Sequence, residues 1–140
     1  MNVILDCNIW ISFLLGKRLS SVALIFRNPN IHVYVSKELL QEIRDVISRP
    51  KIQKHITPYA VAAMWDLINE HCLAIEDYPN ADITIRDAKD IYILSMAEAI
   101  PADTIVTGDK DLLDLKQYKQ IVILTYQQFL LFTSEAKGEA

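Results

Sequence analysis

The segment "TIVTGDKDLL", residues 104–113, is an apolar run that stops at Asp109, with a second acid at Asp111. The first apolar run of the chain, "NVILD" at residues 2–6, also ends on an acid, Asp6. Short continuous apolar runs are typical of strands that are buried on both faces of a sheet. Ligands bind outside the carboxyl ends of such strands, so two strands that each end in a carboxylate predict a functional sheet edge.

Strand-like and helix-like segments alternate along the whole chain. The strand-like segments are continuous apolar runs: "NVILD", "IHVYVS", "CLAIE", "DTIVT" and "IVIL". The helical patterns between them have predicted N-caps at Asn8, at Ser20 or Ser21 and at Ser36, and Asp90 is predicted to be the first residue of a helix. This order predicts a single three-layer α/β/α sandwich around a five-stranded parallel sheet.

The chain length of 140 residues suits one domain, which we place at residues 1–132, with residues 133–140 as a frayed tail. Cys7 and Cys72 are too few for a disulfide framework, and we expect buried thiols, as in a reducing cytoplasm. The apolar stretch "IWISFLL" follows an acid instead of a basic segment and is too short to span a bilayer. The expectation is a soluble, unexported cytoplasmic protein.

Charge is distributed unevenly along the sequence. The net charge is −4, but residues 1–54 carry +4 and residues 55–115 carry −9. A basic half beside an acidic half can bind a polyanion at one end and cations at the other, although an uneven solvated surface explains the same numbers. Neither the phosphate-binding loop motif nor the dinucleotide-binding glycine motif is present, and the three His form no zinc pattern with the two Cys.

Four acids stand where a site would form: Asp6, Glu42, Asp90 and Asp109. Each one alone has an ordinary explanation as a turn residue, a helix cap or part of a solvated helix face. Glu42 fits that explanation least, because helical spacing puts it beside the buried face and no Lys or Arg follows one turn later. Converging carboxylates repel one another unless a cation joins them, and oxygen ligands suit Mg²⁺ or Mn²⁺. Such a site favours phosphoryl chemistry.

Four pieces of the chain together resemble the PIN-domain family of nucleases: "VILDCN", "ELLQEI", "RDAKDIYILSMA" and "DTIVTGDKDLL". The chain is most similar to PIN proteins of the VapC type, the toxin components of toxin–antitoxin pairs. The resemblance implies a Mg²⁺- or Mn²⁺-dependent endoribonuclease, an antitoxin protein as partner and a homodimer. It implies catalytic, metal-binding roles for Asp6, Glu42, Asp90 and Asp109, and supporting roles for Asn8, Thr107, Asp111 and Asp87.

Basic residues of the N-terminal half are the candidates for contact with RNA phosphates. They are Lys17, Arg18, Arg44, Arg49, Lys51 and Lys54.

Two other functions fit parts of the pattern. A phosphatase of the haloacid-dehalogenase type also begins with a strand-end Asp, but it needs a second Asp where this chain has Asn8, and the usual Gly-Thr is missing. A PIN-like module that binds RNA or protein without catalysis is the other alternative, and the complete set of acids argues against it.

Overall fold

A computed structural model describes residues 1–16, 19–81 and 88–138. The strands in these residues are β1 (Asn2–Leu5), β2 (His32–Ser36), β3 (Leu73–Ile75), β4 (Thr104–Val106), β5 (Gln117–Tyr118) and β6 (Ile121–Leu124). The helices are α1 (Cys7–Leu15), α2 (Leu19–Arg27), α3 (Lys37–Ile47), α4 (Pro50–Gln53), α5 (Pro58–His71), α6 (Ala88–Ala99), α7 (Lys110–Leu115) and α8 (Tyr126–Gly138). Three of the candidate site residues lie outside the described residues: Lys17, Arg18 and Asp87.

The sheet has the strand order β3-β2-β1-β4-β6-β5. All neighbouring strands are parallel except β5 and β6. The chain builds outward from β1 to β2 and β3, and then returns across the sheet to form β4 and β6, so the strand order reverses between β1 and β4. Right-handed crossovers put the helices that link β1 to β3 on one face and α6 on the other. The predicted α/β sandwich is confirmed.

The two central strands are buried on both faces. Ile4 and Leu5 of β1, and Ile105 and Val106 of β4, have no exposed side-chain area although neighbouring residues point to opposite faces. This burial explains why the runs read as continuously apolar in the sequence. Among the described helices, none has the length and apolar character needed to cross a membrane.

The sheet has one strand more than the five predicted, because the two-residue strand β5 pairs antiparallel with β6 at one edge. The polar, lysine-bearing sequence "LKQYKQ" around it has no apolar run. Lys116 and Lys119, which flank β5, have positive φ angles of 61° and 53° and form the tight turns on either side. A charged, very short edge strand discourages pairing with other chains, and it leaves little trace in sequence periodicity.

The structure confirms one predicted helix start and corrects three. Ser36 caps α3 as predicted. Asn8 does not cap α1; Asp6 does, and its side chain accepts a hydrogen bond from the Cys7 amide. The chain turns from β1 directly into α1, so the first polar residue after the strand is also the helix cap. Ser20 and Ser21 lie within α2, which includes Leu19, and α6 includes Ala88, two residues before Asp90.

The Ser36 cap holds the start of α3, the helix that carries Glu42. Its hydroxyl oxygen accepts a hydrogen bond from the Leu39 amide at 3.2 Å, and Ser36 is buried. Ser36→Ala should lower the free energy of unfolding by about 1 kcal/mol, because the amide loses its acceptor. Urea unfolding measures this. The matched control is Ser48→Ala at the exposed opposite end of α3, which should change stability by less than about 0.5 kcal/mol. Equal small losses in both variants would contradict a stabilising role for the cap.

Candidate active site

The point where strand order reverses brings two acidic segments together. β1 and β4 pair with Leu5 opposite Val106, and the Asp6 amide donates to the Val106 carbonyl at 2.9 Å. Asp6 and Thr107 therefore leave the sheet side by side. In doubly wound sheets this position forms a crevice, because the chains that follow the two strands diverge to opposite faces.

A network of hydrogen bonds fixes the Asp6 carboxylate. Its Oδ1 accepts from the Cys7 amide at 2.8 Å. Its Oδ2 accepts from the Thr107 hydroxyl at 2.8 Å and from the Asn8 side-chain amide at 3.2 Å. An ionised carboxylate has about four acceptor positions, so Asp6 keeps the capacity to accept or ligate one further group.

Asn8 joins the two strand ends to each other. Its Oδ1 accepts from the Gly108 amide at 2.7 Å, and its Nδ2 lies 3.3 Å from the Thr107 hydroxyl. A Cβ at position 108 would come within 3.3 Å of Asn8 Oδ1, so glycine lets the backbone approach this closely. The predicted supporting residues Asn8 and Thr107 are therefore placed between the acids of β1 and β4.

Three carboxylates converge beyond the end of β4. Asp90 comes from the start of α6, and Asp109 and Asp111 come from the start of α7. One oxygen from each of the three lies within 4.8 Å of the others. Asp90 is buried, with 5% of its surface exposed, and the other two are partly buried. The Asp109 backbone amide donates to Thr107 Oγ1 at 3.0 Å, which connects this group to the Asp6 network.

This donor set fits a hard divalent cation. All three groups are carboxylates, and oxygen ligands without His or Cys are those that Mg²⁺ and Mn²⁺ prefer. Asp109 Oδ1 accepts from the Asp111 amide at 2.9 Å, so backbone geometry holds these two acids close together. The sequence pattern indicated Asp111 only as a supporting residue, whereas its position makes it a candidate ligand.

Glu42 lies apart from the three-carboxylate group and has a partner that the sequence pattern did not reveal. The Tyr92 hydroxyl, from α6, donates to Glu42 Oε2. Burial is the main reason why the pKa of Tyr92 is raised, and the hydrogen bond and the negative charge of Glu42 raise it further. The two residues are 50 positions apart in the chain, so helical spacing around Glu42 could not identify the pair.

The Asp6 carboxylate interacts with the charges of Glu42 and Asp109. Burial raises its pKa to about 6, the hydrogen bonds from Thr107 and Cys7 lower it, and the charges of Glu42 and Asp109 raise it again. The Asp6 carboxylate is therefore close enough to both Glu42 and Asp109 for their charges to disfavour its ionisation. A bound cation would favour ionised carboxylates here and oppose this shift.

The described basic residues that were predicted to contact RNA phosphates do not cluster around the acids of the site. Arg44 follows Glu42 by two positions on α3, so it points to a different side of the helix, and its guanidinium lies 5.3 Å from the centre of the Trp65 ring. Arg49, Lys51 and Lys54 are exposed in and beside α4. They follow the end of α3 that is farther from the carboxyl edge of the sheet.

The sequence profile that describes the PIN domain matches residues 2–111, and this range holds Asp6, Glu42 and all three converging carboxylates. This chain belongs to the PIN domain family. The resemblance that the four sequence pieces predicted is thus confirmed. PIN nucleases are hydrolases that act on nucleic acids and generally use divalent metals, in agreement with the acidic donor set of this PIN domain.

Two solved structures align with this PIN domain. A chain of VapBC2 from Rickettsia felis, crystallised bound to a DNA fragment from their promoter, aligns with a TM-score of 0.57 and 16% identity, covering 89% of this chain and 98% of that one. The T. brucei RRP44 PIN domain aligns with a TM-score of 0.48 and 13% identity, covering 98% of this chain and 83% of that domain. At 16% identity the match to VapBC2 concerns the fold alone. No curated protein matches the sequence significantly.

The buried position of Asp6 predicts a specific dependence of stability on pH. Its folded-state pKa of about 6 lies above its ordinary value of 3.8, so the folded state holds an extra proton between these values. The contribution of Asp6 to the free energy of unfolding therefore falls by up to about 3 kcal/mol as pH rises from about 4 to about 6. Unfolding with urea in the presence of EDTA, across this pH range, measures it.

Asp6→Asn is the comparison, because it removes the titrating group. The Asn side chain cannot accept the Thr107 hydrogen bond through its amide nitrogen, so the variant loses one hydrogen bond at every pH. The informative quantity is the difference in unfolding free energy between wild type and variant, which should shift in favour of the variant as pH rises. A difference that stays constant from pH 4 to pH 7 would show that Asp6 is not desolvated in the folded protein.

Proposed function

We propose that this PIN domain is a divalent-cation-dependent endoribonuclease. The observation that carries the proposal is the convergence of Asp90, Asp109 and Asp111 within 4.8 Å, beside Asp6 at the strand-order reversal. Each of these acids by itself can stabilise the start of a helix, but placing the three so close together adds a mutual repulsion that destabilises the fold when no cation is bound. A cation bound by them offsets the repulsion and turns the arrangement into a reactive site.

Asp90, Asp109 and Asp111 are the residues that would hold Mg²⁺ or Mn²⁺, with Asp6 able to contribute its remaining acceptor position. When bound, such a cation stabilises negative charge on the phosphodiester in the transition state and makes water easier to deprotonate. Thr107 and Asn8 keep the Asp6 carboxylate in one orientation through their hydrogen bonds. A ligand that is already oriented loses less conformational entropy when it binds.

We assign to Glu42 the role of orienting and deprotonating the attacking water. It is near enough to Asp6 to raise the pKa of that residue, yet it stands outside the three-carboxylate group. Its carboxylate accepts the Tyr92 hydroxyl at Oε2, so Oε1 is left to accept a hydrogen bond from water. In this position Glu42 orients the water for in-line attack on phosphorus and accepts its proton as the new bond forms. The bond from phosphorus to the ester oxygen on the opposite side breaks, and that oxygen takes a proton from solvent as it leaves.

RNA as the substrate, and an antitoxin as the partner, rest on the similarity to VapC-type PIN proteins together with the basic N-terminal half. VapBC2, whose structure shares this fold, is a complex crystallised with promoter DNA. We extend to this chain the roles of a toxin component, acting in the cytoplasm as a homodimer. Arg49, Lys51 and Lys54 are exposed on a part of the chain that carries +4 overall, and they provide phosphate contacts away from the scissile bond.

Cleavage of a mixed panel of single-stranded and structured RNAs should require Mg²⁺ or Mn²⁺ and stop with excess EDTA. Asp90→Asn and Asp109→Asn should each reduce kcat/KM by at least about 10- to 100-fold, the loss that is usual even for residues that only support a metal ligand. Asp114→Asn is the matched control, because Asp114 is an exposed acid on α7 outside the converging group. Cleavage that persists in EDTA, or an equal effect of all three variants, would refute the proposed mechanism.

The basic segment around α4 should contribute to RNA affinity through charge alone. Changing Arg49, Lys51 and Lys54 together to Ala should weaken RNA binding and reduce the slope of log Kd against log salt by about 2 to 3, because each phosphate contact contributes about 0.7 to 0.9. Fluorescence anisotropy at several salt concentrations, in EDTA to prevent cleavage, measures this. The control variant, Lys116→Ala with Lys119→Ala, lies at the β5 edge and should leave the slope unchanged. An unchanged slope in the α4 variant would exclude this segment from the RNA-binding surface.

A further inference from the structure

Glu42 is an acid that needs a partner supplied by the fold. It is partly buried on α3, and no Lys or Arg of the described residues forms an ion pair with it. The positions one turn later on the helix are Asp45 and Val46, neither of which has a basic side chain. A partly buried carboxylate without a donor would turn toward solvent, because burial without hydrogen bonds is unfavourable.

Tyr92 supplies that donor from the opposite side of the crevice. Its hydroxyl donates to Glu42 Oε2, and its ring packs against the buried core. Tyr92 lies two positions after Asp90 on α6, and residues two apart on a helix point in different directions. One turn of α6 therefore sends Asp90 toward the carboxylates of α7 and Tyr92 toward Glu42 on α3.

We propose that Tyr92 is a positioning residue, which holds the Glu42 carboxylate inside the acidic site through its hydroxyl. The inference rests on the proposed nuclease function, for which Glu42 must face the attacking water. It goes beyond the acid set itself, since the resemblance assigned roles to acids, Asn8 and Thr107 and assigned none to Tyr92, although Tyr92 lies within one of the four sequence pieces.

The chemistry of the donor explains why tyrosine suits this place. A phenol is neutral at pH 7, so it orients the carboxylate without cancelling its charge. A Lys or Arg in the same position would form an ion pair, and the added positive charge would oppose cation binding by the nearby acids. A neutral donor on a packed ring gives orientation and leaves the negative potential of the site intact.

Tyr92→Phe tests the proposal, because it removes the hydroxyl and keeps the ring. We expect kcat for RNA cleavage to fall about tenfold, the size of effect common for groups that orient functional residues, with KM changed less than about twofold. We also expect the Kd for Mn²⁺, measured by electron paramagnetic resonance, to rise about threefold, because a Glu42 released to solvent contributes less negative potential. Thermal unfolding establishes that the variant is folded.

Tyr118→Phe is the matched control. The Tyr118 hydroxyl also donates to a glutamate, Glu98, at 2.9 Å, but this pair lies at the β5 end of the sheet. Losing this hydroxyl should leave kcat and the Mn²⁺ Kd unchanged. The comparison separates the effect of the Tyr92 site from the general effect of removing a phenol that is bonded to a glutamate.

A double-mutant cycle with Glu42→Gln shows whether Tyr92 acts through Glu42. If it does, Tyr92→Phe has no further effect on kcat or on the Mn²⁺ Kd once Glu42 has lost its charge. The proposal is overturned if Tyr92→Phe behaves as wild type, if its effect is the same in the Glu42→Gln background, or if the variant does not fold. If the wild-type protein binds Mn²⁺ but does not cleave RNA, the nuclease function is refuted. The double-mutant cycle read by the Kd for Mn²⁺ would in that case still decide whether Tyr92 positions Glu42.

Discussion

The hydrogen bond from the Thr107 hydroxyl to the Asp6 carboxylate, 2.8 Å long, joins the ends of the two central strands. Asp6 follows β1, and Thr107 follows β4, where strand order reverses. The same carboxylate caps α1. One side chain therefore fixes the turn from β1 into α1 and also places an acid in the site. A one-residue change of register in β1 would turn its buried side chains to the wrong faces and displace Asp6 as well. The strand register that fixes the packing of the core therefore also fixes the position of Asp6 in the site.

The described donors to Asp6, Asp109 and Glu42 share one property: each of them is neutral. The Asp6 carboxylate is bonded by a backbone amide, a hydroxyl and a side-chain amide; Asp109 is bonded by a backbone amide; and Glu42 is bonded by a phenol. Neutral donors orient carboxylates while leaving their charge uncompensated. The raised pKa of Asp6, which burial and the charges of Glu42 and Asp109 support, is the energetic consequence. This arrangement costs stability in the absence of a cation and favours binding when one is present.

Helix α6 connects the two sides of the acidic crevice. A parallel sheet needs a crossover that returns the chain to the amino end of the next strand, so α6 begins at the same edge as the acids. From this start it contributes Asp90 to the converging carboxylates and Tyr92 to Glu42. Substitutions in its first turns should therefore affect both groups, whereas the basic segment around α4, after the far end of α3, is structurally independent of them.

The sequence by itself determined the α/β class, the parallel direction of the main strands and the positions of the acids at or near strand and helix ends. It could do so because burial on both faces produces continuous apolar runs, and because caps and strand ends are local features of the chain. The strand β5, the cap of α1 and the starts of α2 and α6 were not predicted correctly. A two-residue strand and a direct turn from β1 into α1 leave little periodicity to detect, and α2 and α6 each begin before the polar residue that the sequence offered as their start.

Only the tertiary structure decided which acids meet. It grouped Asp111 with Asp90 and Asp109, gave Asp6 its links to Thr107 and Asn8, and paired Glu42 with Tyr92. These contacts join residues that are up to 101 positions apart, and they depend on strand register and on the direction of each helix. Such contacts are absent from the local pattern, because helix and strand periodicity show which face a residue occupies but not which distant residue faces it.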